Sequence, residues 1–276
     1  MKHMKLLATA SALALATPAM ADDVIIGVVV STTSTYAFVG QPLVNGMRLA
    51  ADELTAADGW GGHNIKILYE DNRSERQEAI ALITRMALSE EADIIIGPIA
   101  SSEAMATGPV AVDLEIPMFT TATSPAVLEA GDWVFKSTET ADAYMAPVAE
   151  HVVGLSPEDC FLVSIRDNEG YILQRDVFRG ILEDGGVTIA GDETVLAADT
   201  DFTALSTLIV NSDADCLFVT APPEQAANII IQSRQAGLDP ATILASDSGA
   251  GSQNYIGAGG SAIEGTFFPA SFVADA

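Results

Sequence analysis

Basic residues are scarce in this 276-residue chain, in which 12 lysines and arginines stand against 38 aspartates and glutamates. The formal net charge at pH 7 is −26, and no cluster of basic residues interrupts the acidic excess. A surface of this charge repels the phosphates of nucleic acids and of anionic lipids. The composition therefore predicts that nucleic acid is not a partner.

The motifs of nucleotide-binding proteins and of common hydrolases are also missing. The glycine clusters at 249–251 and 257–260 lack the third glycine of a dinucleotide-binding turn, and there is no phosphate-binding loop. No G-x-S-x-G elbow is present, and only His63 and His151 follow residue 21. Zinc and calcium spacings are absent as well. We expect a protein without cofactor or metal that is not an enzyme; a dispersed carboxylate site is the enzymatic alternative.

Cysteine is rare, with one residue at Cys160 and one at Cys216. Each begins an apolar run, CFLVSI and CLFVT. If these runs are neighbouring parallel strands, an oxidising compartment allows the thiols to form a disulfide. The alternative is two separate buried thiols that act as small hydrophobic side chains.

Long apolar runs are absent, and the short one near the N-terminus has the features of a secretory signal peptide. Lys2 and Lys5 precede the stretch LLATASALALATPA, and an A-x-A site ends at Ala21. The apolar core is too short for a membrane span. We therefore predict a signal peptide at residues 1–21 and a soluble, exported mature protein. Removal of the signal peptide takes away two lysines, which makes the net charge of the remaining chain more negative.

The rest of the chain alternates apolar, β-branched runs with helical patterns, twice over. This alternation predicts an α/β fold of two doubly wound, Rossmann-like lobes. We place the first lobe at residues 22–138 and the second at 139–272, with strands at 24–30, 65–69, 94–96, 117–120, 133–136, 160–165, 187–195, 216–221, 242–247 and 266–272. Ser74 and Gln77 have capping-box spacing and predict the start of a helix.

Hydroxyl side chains follow two strands of the first predicted lobe. Ser101 and Ser102 follow the strand at 94–96, and a cluster that includes Thr123 and Ser124 follows the strand at 117–120. Both loops lie at the carboxyl edge of a parallel sheet, where ligands bind, and the helix N-terminus at Ser101 favours a carboxylate. The alternative roles are structural: one serine caps the helix, and Ser124 caps a turn that begins with Pro125.

Two residues of the second predicted lobe are candidates for the opposite side of the ligand. Tyr171 lies in a strand-to-helix loop, and Asp247 ends the run TILAS. A carboxylate that faces the serine pair across a cleft suits an ammonium group. The alternatives are a half-buried aromatic side chain for Tyr171 and a turn-capping role for Asp247.

The segments VIIGVVVSTTSTYAFVGQPLVNGMRLAADEL, YEDNRSERQEAIALITRM, IIIGPIASSEAMATGPVAVDLEIPMFTTATSP and IIQSRQAGL resemble, in this order, the type I periplasmic solute-binding proteins of branched-chain amino acid transporters. The resemblance implies two α/β lobes joined by three crossings, which close on a ligand and deliver it to the membrane permease of an ABC transporter. It matches Ser101 to the residue that binds the ligand carboxylate, and Ala122 and Ser124 to its partners. It also matches Tyr171 to the tyrosine of the second lobe and places Asp247 within one residue of the ammonium-binding acid.

Two departures from the family pattern leave the ligand open. Ala221, Pro222 and Pro223 stand where amino acid binders have a tyrosine, and Asp247 stands in place of a glutamate. The predicted ligand is an amino acid or another small carboxylate-bearing solute. The alternatives are an amide- or urea-binding protein or sensor of the same fold, a binder of aromatic acids, and an exported hydrolase. We expect a monomer.

The sequence ends at Ala276, where the family pattern crosses back to the first lobe. The resemblance therefore implies that a C-terminal portion is missing. A first lobe without that portion lacks part of its packing, and we expect this to lower its stability.

Overall fold

The computed structural model describes residues 23–270, which begin with strand β1 (Asp23–Val30). The predicted signal peptide at residues 1–21 lies outside these residues. β1 is a continuous apolar run that becomes fully buried towards its end, as expected for a strand covered on both faces. Among residues 23–270, no helix combines the length and the apolar content needed to cross a bilayer.

The first unit, residues 23–136, is a five-stranded parallel sheet with strand order β2-β1-β3-β4-β5. The other strands are β2 (Asn64–Asp71), β3 (Ile94–Ile96), β4 (Met118–Thr120) and β5 (Val134–Lys136). Three helices connect them: α1 (Ala37–Ala56), α2 (Arg76–Leu88) and α3 (Ser101–Asp113). A 3₁₀ helix (Pro125–Ala130) links β4 to β5.

The second unit, residues 141–263, repeats this construction with a four-stranded parallel sheet of order β7-β6-β8-β9. Its strands are β6 (Asp159–Ile165), β7 (Thr188–Val195), β8 (Cys216–Thr220) and β9 (Ile243–Ser246). Its helices are α4 (Ala141–Gly154), α5 (Glu169–Asp184), α6 (Thr203–Ser212), α7 (Pro223–Ala236) and α8 (Gln253–Gly259). The two sheets confirm the predicted fold class of two doubly wound α/β units.

Two local predictions are wrong. The run at 266–272 forms no strand within the described residues; a single bridge pairs Phe267 with Ala245, and positions 271–272 lie outside the described part. Ser74 does not cap α2, because its hydroxyl accepts the Tyr36 N–H at 3.0 Å and Glu75 occupies the N-cap position without a side-chain bond. Ser74 therefore fixes the loop that carries Tyr36.

A disulfide joins Cys160 to Cys216. The two residues are direct partners in the parallel pair β6 and β8, with their Cα atoms 4.4 Å apart. Both are fully buried in an apolar cluster that also contains Phe178 and Phe218, whose rings stack. The bond therefore fastens the centre of the second sheet, and it decides between the two alternatives that the sequence left open.

The two units meet along the carboxyl ends of their strands. A shared apolar cluster contains Val30 and Tyr36 of the first unit together with Phe161 and Tyr171 of the second. Residues 137–140 connect β5 to α4 and carry the chain from one unit to the other. The loops that follow β1, β3 and β4 therefore face those that follow β6, β8 and β9.

Candidate ligand-binding site

A cavity of about 520 Å³ lies between the two units, where these loops face each other. Both units and the connecting segment contribute to its wall, and most of the lining side chains are polar or aromatic. The lining residues are Tyr36, Phe38, Val39, Ile99, Ala100, Ser101, Thr121, Thr123, Ser137, Thr138, Glu139, Tyr144, Asn168, Gly170, Tyr171, Gln174, Asp247, Ser248 and Gly249.

One end of the cavity is formed by the N-terminus of α3. Ala100 is the N-cap residue, and no side chain caps the helix, so neither serine has the capping role considered from the sequence. The N–H groups of a first helical turn have no partners within the helix. Ser101 lines the cavity, and its Oγ accepts the N–H of Ser124 at 3.2 Å, which leaves its own hydrogen free to donate. This end can therefore hold an anionic group.

The loop after β4 adds Thr121 and Thr123 to the same end of the cavity. Both side chains line it, and Thr121 Oγ1 is buried without a hydrogen-bond partner among the described residues. Between them, Ala122 points away from the cavity and packs with Ala104 and Val127. An extended segment alternates the directions of its side chains, which explains why every second residue faces the cavity.

The structure brings four of the seven predicted site residues to this cavity: Ser101, Thr123, Tyr171 and Asp247. The other three, Ser102, Ala122 and Ser124, are buried but do not line it. Ser124 is the N-cap of the 3₁₀ helix, where its hydroxyl accepts the N–H of Ala126 at 3.3 Å. It lines a separate, smaller cavity of about 330 Å³.

Asp247 lies at the second-unit side of the cavity and is 4 % exposed. Its Oδ1 accepts the N–H of Gly249 at 2.7 Å, and its Oδ2 accepts the Thr220 hydroxyl at 3.0 Å and the Ala221 N–H at 3.1 Å. Burial raises the pKa of the Asp247 carboxyl to about 6, although these three donors oppose the rise. Asp247 therefore caps the turn after β9, as the structural alternative predicted, and also faces the cavity.

Aromatic side chains close the cavity between the two units. Asn168 of the second unit donates its Nδ2–H to the Tyr36 hydroxyl of the first at 2.8 Å. Burial raises the pKa of the Tyr171 and Tyr144 hydroxyls, with the Asp247 charge as the next cause in both cases. Both phenols therefore stay protonated and can donate hydrogen bonds. Asn168 escaped the sequence interpretation because its partner is 132 residues away.

Gly170 brings α5 of the second unit against the hydroxyls of the first. A Cβ atom at this position would lie 2.7 Å from both Ser101 Oγ and Thr123 Oγ1. That separation is shorter than any ordinary carbon–oxygen contact, so only glycine fits while the units are this close. The interface between the units thus passes directly beside the end of the cavity that can hold an anionic group.

The charged side chains that line the cavity are Glu139 and Asp247, both acidic, and no lysine or arginine is among its lining residues. A ligand with only negative charge would have no ion-pair partner in this wall. A ligand that carries a cationic group would compensate Asp247. The arrangement therefore favours a ligand with both kinds of charge.

Glu103 lies two residues beyond Ser101, and we expect it to make stability depend on pH. It is 1 % exposed; its Oε2 accepts from Asn72 Nδ2 at 2.8 Å, whereas its Oε1 has no partner among the described residues. Burial raises the pKa of the Glu103 carboxyl from 4.5 to about 7. Ionised Glu103 therefore lowers the free energy of unfolding, and this loss grows as the pH rises from 4.5 to about 7. The free energy of unfolding of Glu103→Gln, measured relative to wild type, should therefore be about 3 kcal/mol higher at pH 8 than at pH 4.5.

Denaturant unfolding at the two pH values measures this difference. Glu53→Gln, at an exposed position of α1, is the matched control. Its free energy of unfolding should differ from that of wild type by the same amount at both pH values. A Glu103→Gln effect that is equal at pH 4.5 and pH 8 would contradict a buried, destabilised carboxylate.

The sequence profile of the periplasmic binding protein family matches residues 23–276. The chain belongs to this family. Among relatives of this periplasmic binding protein, an amino acid binding protein of Pseudomonas aeruginosa is 28% identical over 240 residues. The match covers 86% of this chain and 64% of that protein, so the chain spans slightly less than two thirds of this relative's length.

Solved structures of similar proteins share the fold of this periplasmic binding protein. The crystal structure of a leucine binding protein from Thermotoga maritima has a TM-score of 0.83 at 23% identity, with 91% of this chain and 70% of that one covered. A solute binding protein of an ABC transporter from Rhodopseudomonas palustris, solved in complex with 4-hydroxybenzoate, has a TM-score of 0.74 at 21% identity, with 87% and 66% covered. These likenesses bear out the predicted two-unit α/β architecture.

Proposed function

We propose that this protein is the solute-binding component of an ABC transporter, that it works in the periplasm, and that it binds a small zwitterionic solute, an amino acid in the first instance. The ligand's carboxylate is held by Ser101, Thr121 and Thr123 with the first turn of α3, and its ammonium group by Asp247. Closure of the units about the segment 137–140 encloses the ligand and shapes the surface offered to the membrane permease.

The observation that carries this proposal is the pairing of opposite poles across one cavity. Hydroxyls at a helix N-terminus form one pole, and a buried carboxylate forms the other, each supplied by a different unit. A zwitterion that bridges the poles binds best when the units are closed. The name of the P. aeruginosa relative, an amino acid binding protein, supports the same ligand class.

Calorimetric titration against amino acids, aliphatic amides, urea and aromatic acids tests the proposal. Binding of at least one amino acid, without turnover in a chromatographic assay of the recovered ligand, is the expected result. A chain that binds none of the amino acids would overturn the ligand class. Conversion of a bound solute would favour the exported hydrolase.

A second candidate is a binder of amides, urea or aromatic acids. It is favoured by the internal bonding of Asp247, whose carboxylate already has three donors and needs no cationic partner from a ligand. The 4-hydroxybenzoate complex of the R. palustris protein supports an aromatic acid in the same fold. For such a ligand, Asp247→Ala should leave the affinity intact.

Ser101→Ala should weaken amino acid binding by roughly 1–3 kcal/mol, because the hydroxyl that donates to the carboxylate is lost. Ser102→Ala is the matched control: it removes the same atom one residue further along α3, from a side chain that does not line the cavity. Calorimetry of both variants gives the comparison. Equal affinities in the two variants would return Ser101 to a structural role.

A further inference from the structure

Gln174 was not among the residues singled out from the sequence, yet it lines the cavity one helical turn after Tyr171. Gln174 is 6 % exposed, and its Oε1 lies 3.0 Å from Thr220 Oγ1, placed to accept the hydroxyl hydrogen. The other amide atom, Nε2 in this placement, makes no hydrogen bond among the described residues. That atom is therefore available to a molecule in the cavity.

The oxygen and nitrogen of an amide are nearly the same size, so the hydrogen-bond network decides which of them lies at Thr220 and which faces the cavity. Thr220 has one hydroxyl hydrogen, and its Oγ1 lies 3.0 Å from both Gln174 and Asp247 Oδ2. Asp247 also receives two backbone N–H groups, the environment of an ionised carboxylate. Because a charged acceptor forms the stronger bond, the Thr220 hydrogen goes to Asp247.

Thr220 then has only a lone pair to offer Gln174. We therefore rotate the amide by half a turn, which puts the NH₂ group at Thr220 in place of Oε1. Its oxygen consequently faces the cavity. The wall beside Asp247 thus presents two acceptors, a carboxylate and an amide oxygen, connected through Thr220. An ammonium group satisfies the carboxylate, and the amide oxygen needs a donor of its own.

We propose that Gln174 is a specificity-determining residue, which selects ligands with a hydrogen-bond donor in addition to their ammonium group and so favours amino acids with amide or hydroxyl side chains over branched aliphatic ones. This inference rests on the proposed function, because it takes Asp247 as the ammonium partner. An aliphatic ligand would bury the amide oxygen unpaired, which weakens binding by roughly tenfold or more.

Calorimetry with two pairs of similarly shaped amino acids tests the inference: L-asparagine with L-leucine, and L-glutamine with L-methionine. The wild-type protein should bind the polar member of at least one pair about tenfold more tightly or better. Gln174→Met keeps the length of the side chain and removes its acceptor, so it should abolish that preference. If Gln174→Met fails to fold, Gln174→Leu, which also removes the acceptor, takes its place.

The possible failures are distinguishable. If the aliphatic members bind as tightly as the polar ones, or if the preference survives in Gln174→Met, Gln174 does not set specificity, and the proposed function stands. If none of the four amino acids binds while other amino acids do, the inference alone is overturned. If no amino acid binds at all, it is overturned together with the proposed ligand class.

Discussion

Replacement of Asp247 by asparagine should weaken amino acid binding by about 100-fold at pH 7.5. The carboxylate is 4 % exposed, so an ammonium group placed against it is shielded from water and depends on this charge more than on Glu139, which is exposed. Removing one partner of such a buried pair costs about 3 kcal/mol or more, because the other charge remains without compensation. Asparagine retains the size of the side chain and an oxygen that can accept from Thr220. Isothermal titration of wild type and variant gives the ratio directly.

The same substitution should remove the pH dependence of binding near pH 6. In the free protein, burial raises the pKa of the Asp247 carboxyl to about 6, and a bound cation lowers it again. The affinity of wild type should therefore fall by up to tenfold per pH unit below about 6, because protons and the ammonium group compete for the carboxylate. Without ligand, ionised Asp247 lowers the free energy of unfolding, because its pKa is raised, and this loss grows from pH 3.8 to about 6. A ligand cation offsets that cost.

Asp201→Asn is the control for this experiment, since Asp201 is an exposed carboxylate outside the cavity. Its pH profile should follow that of wild type, whereas the profile of Asp247→Asn should flatten below pH 6. Glu103, with a pKa of about 7, is present in all three proteins and cancels in the comparison. An Asp247→Asn variant with wild-type affinity would instead support the amide or aromatic-acid alternative.

The sequence predicted the sheets well because buried parallel strands are continuous apolar runs with sharp ends. The run at 94–96 and the hydroxyls after it located the carboxyl edge of the first sheet and, with it, Ser101. The choice between neighbouring residues of the next loop was harder. The resemblance matched Ala122 and Ser124, whereas Thr121 and Thr123 line the cavity. The alternation of an extended segment is visible in TTATS, but which half faces the ligand depends on packing against α3.

Other parts of the site depend on contacts between distant parts of the chain, which a local pattern does not contain. The bond from Asn168 to Tyr36 is one example, and the bond between Thr220 and Gln174 is another. In the sequence, Gln174 is an ordinary polar residue of a helix. Its proposed role arises because α5 packs beside β8 and turns that side chain towards Thr220. The disulfide between Cys160 and Cys216 likewise required the strand register to be known.

Gly170→Val should reduce ligand affinity by 100-fold or more, although it replaces none of the side chains proposed to bind the ligand. A Cβ at Gly170 would lie 2.7 Å from Ser101 Oγ and from Thr123 Oγ1, and valine adds two methyl groups beyond it. The protein can relieve this overlap in two ways. It can rotate both hydroxyls away, which removes the carboxylate-binding pole, or it can separate the units, which breaks the bond between Asn168 and Tyr36.

Both routes abolish the closed site, so the expected loss does not depend on which one the protein takes. Gly180→Val is the matched control, because Gly180 lies in the same helix α5 and has open space around its Cβ direction. Both variants replace a glycine of α5 by valine, and only Gly170→Val meets the other unit. Calorimetry should show wild-type affinity for Gly180→Val, and small-angle scattering should show whether Gly170→Val holds the units apart. Unimpaired binding by Gly170→Val would mean that ligand is held without contact between α5 and the hydroxyls of the first unit, and closure would then have to occur elsewhere.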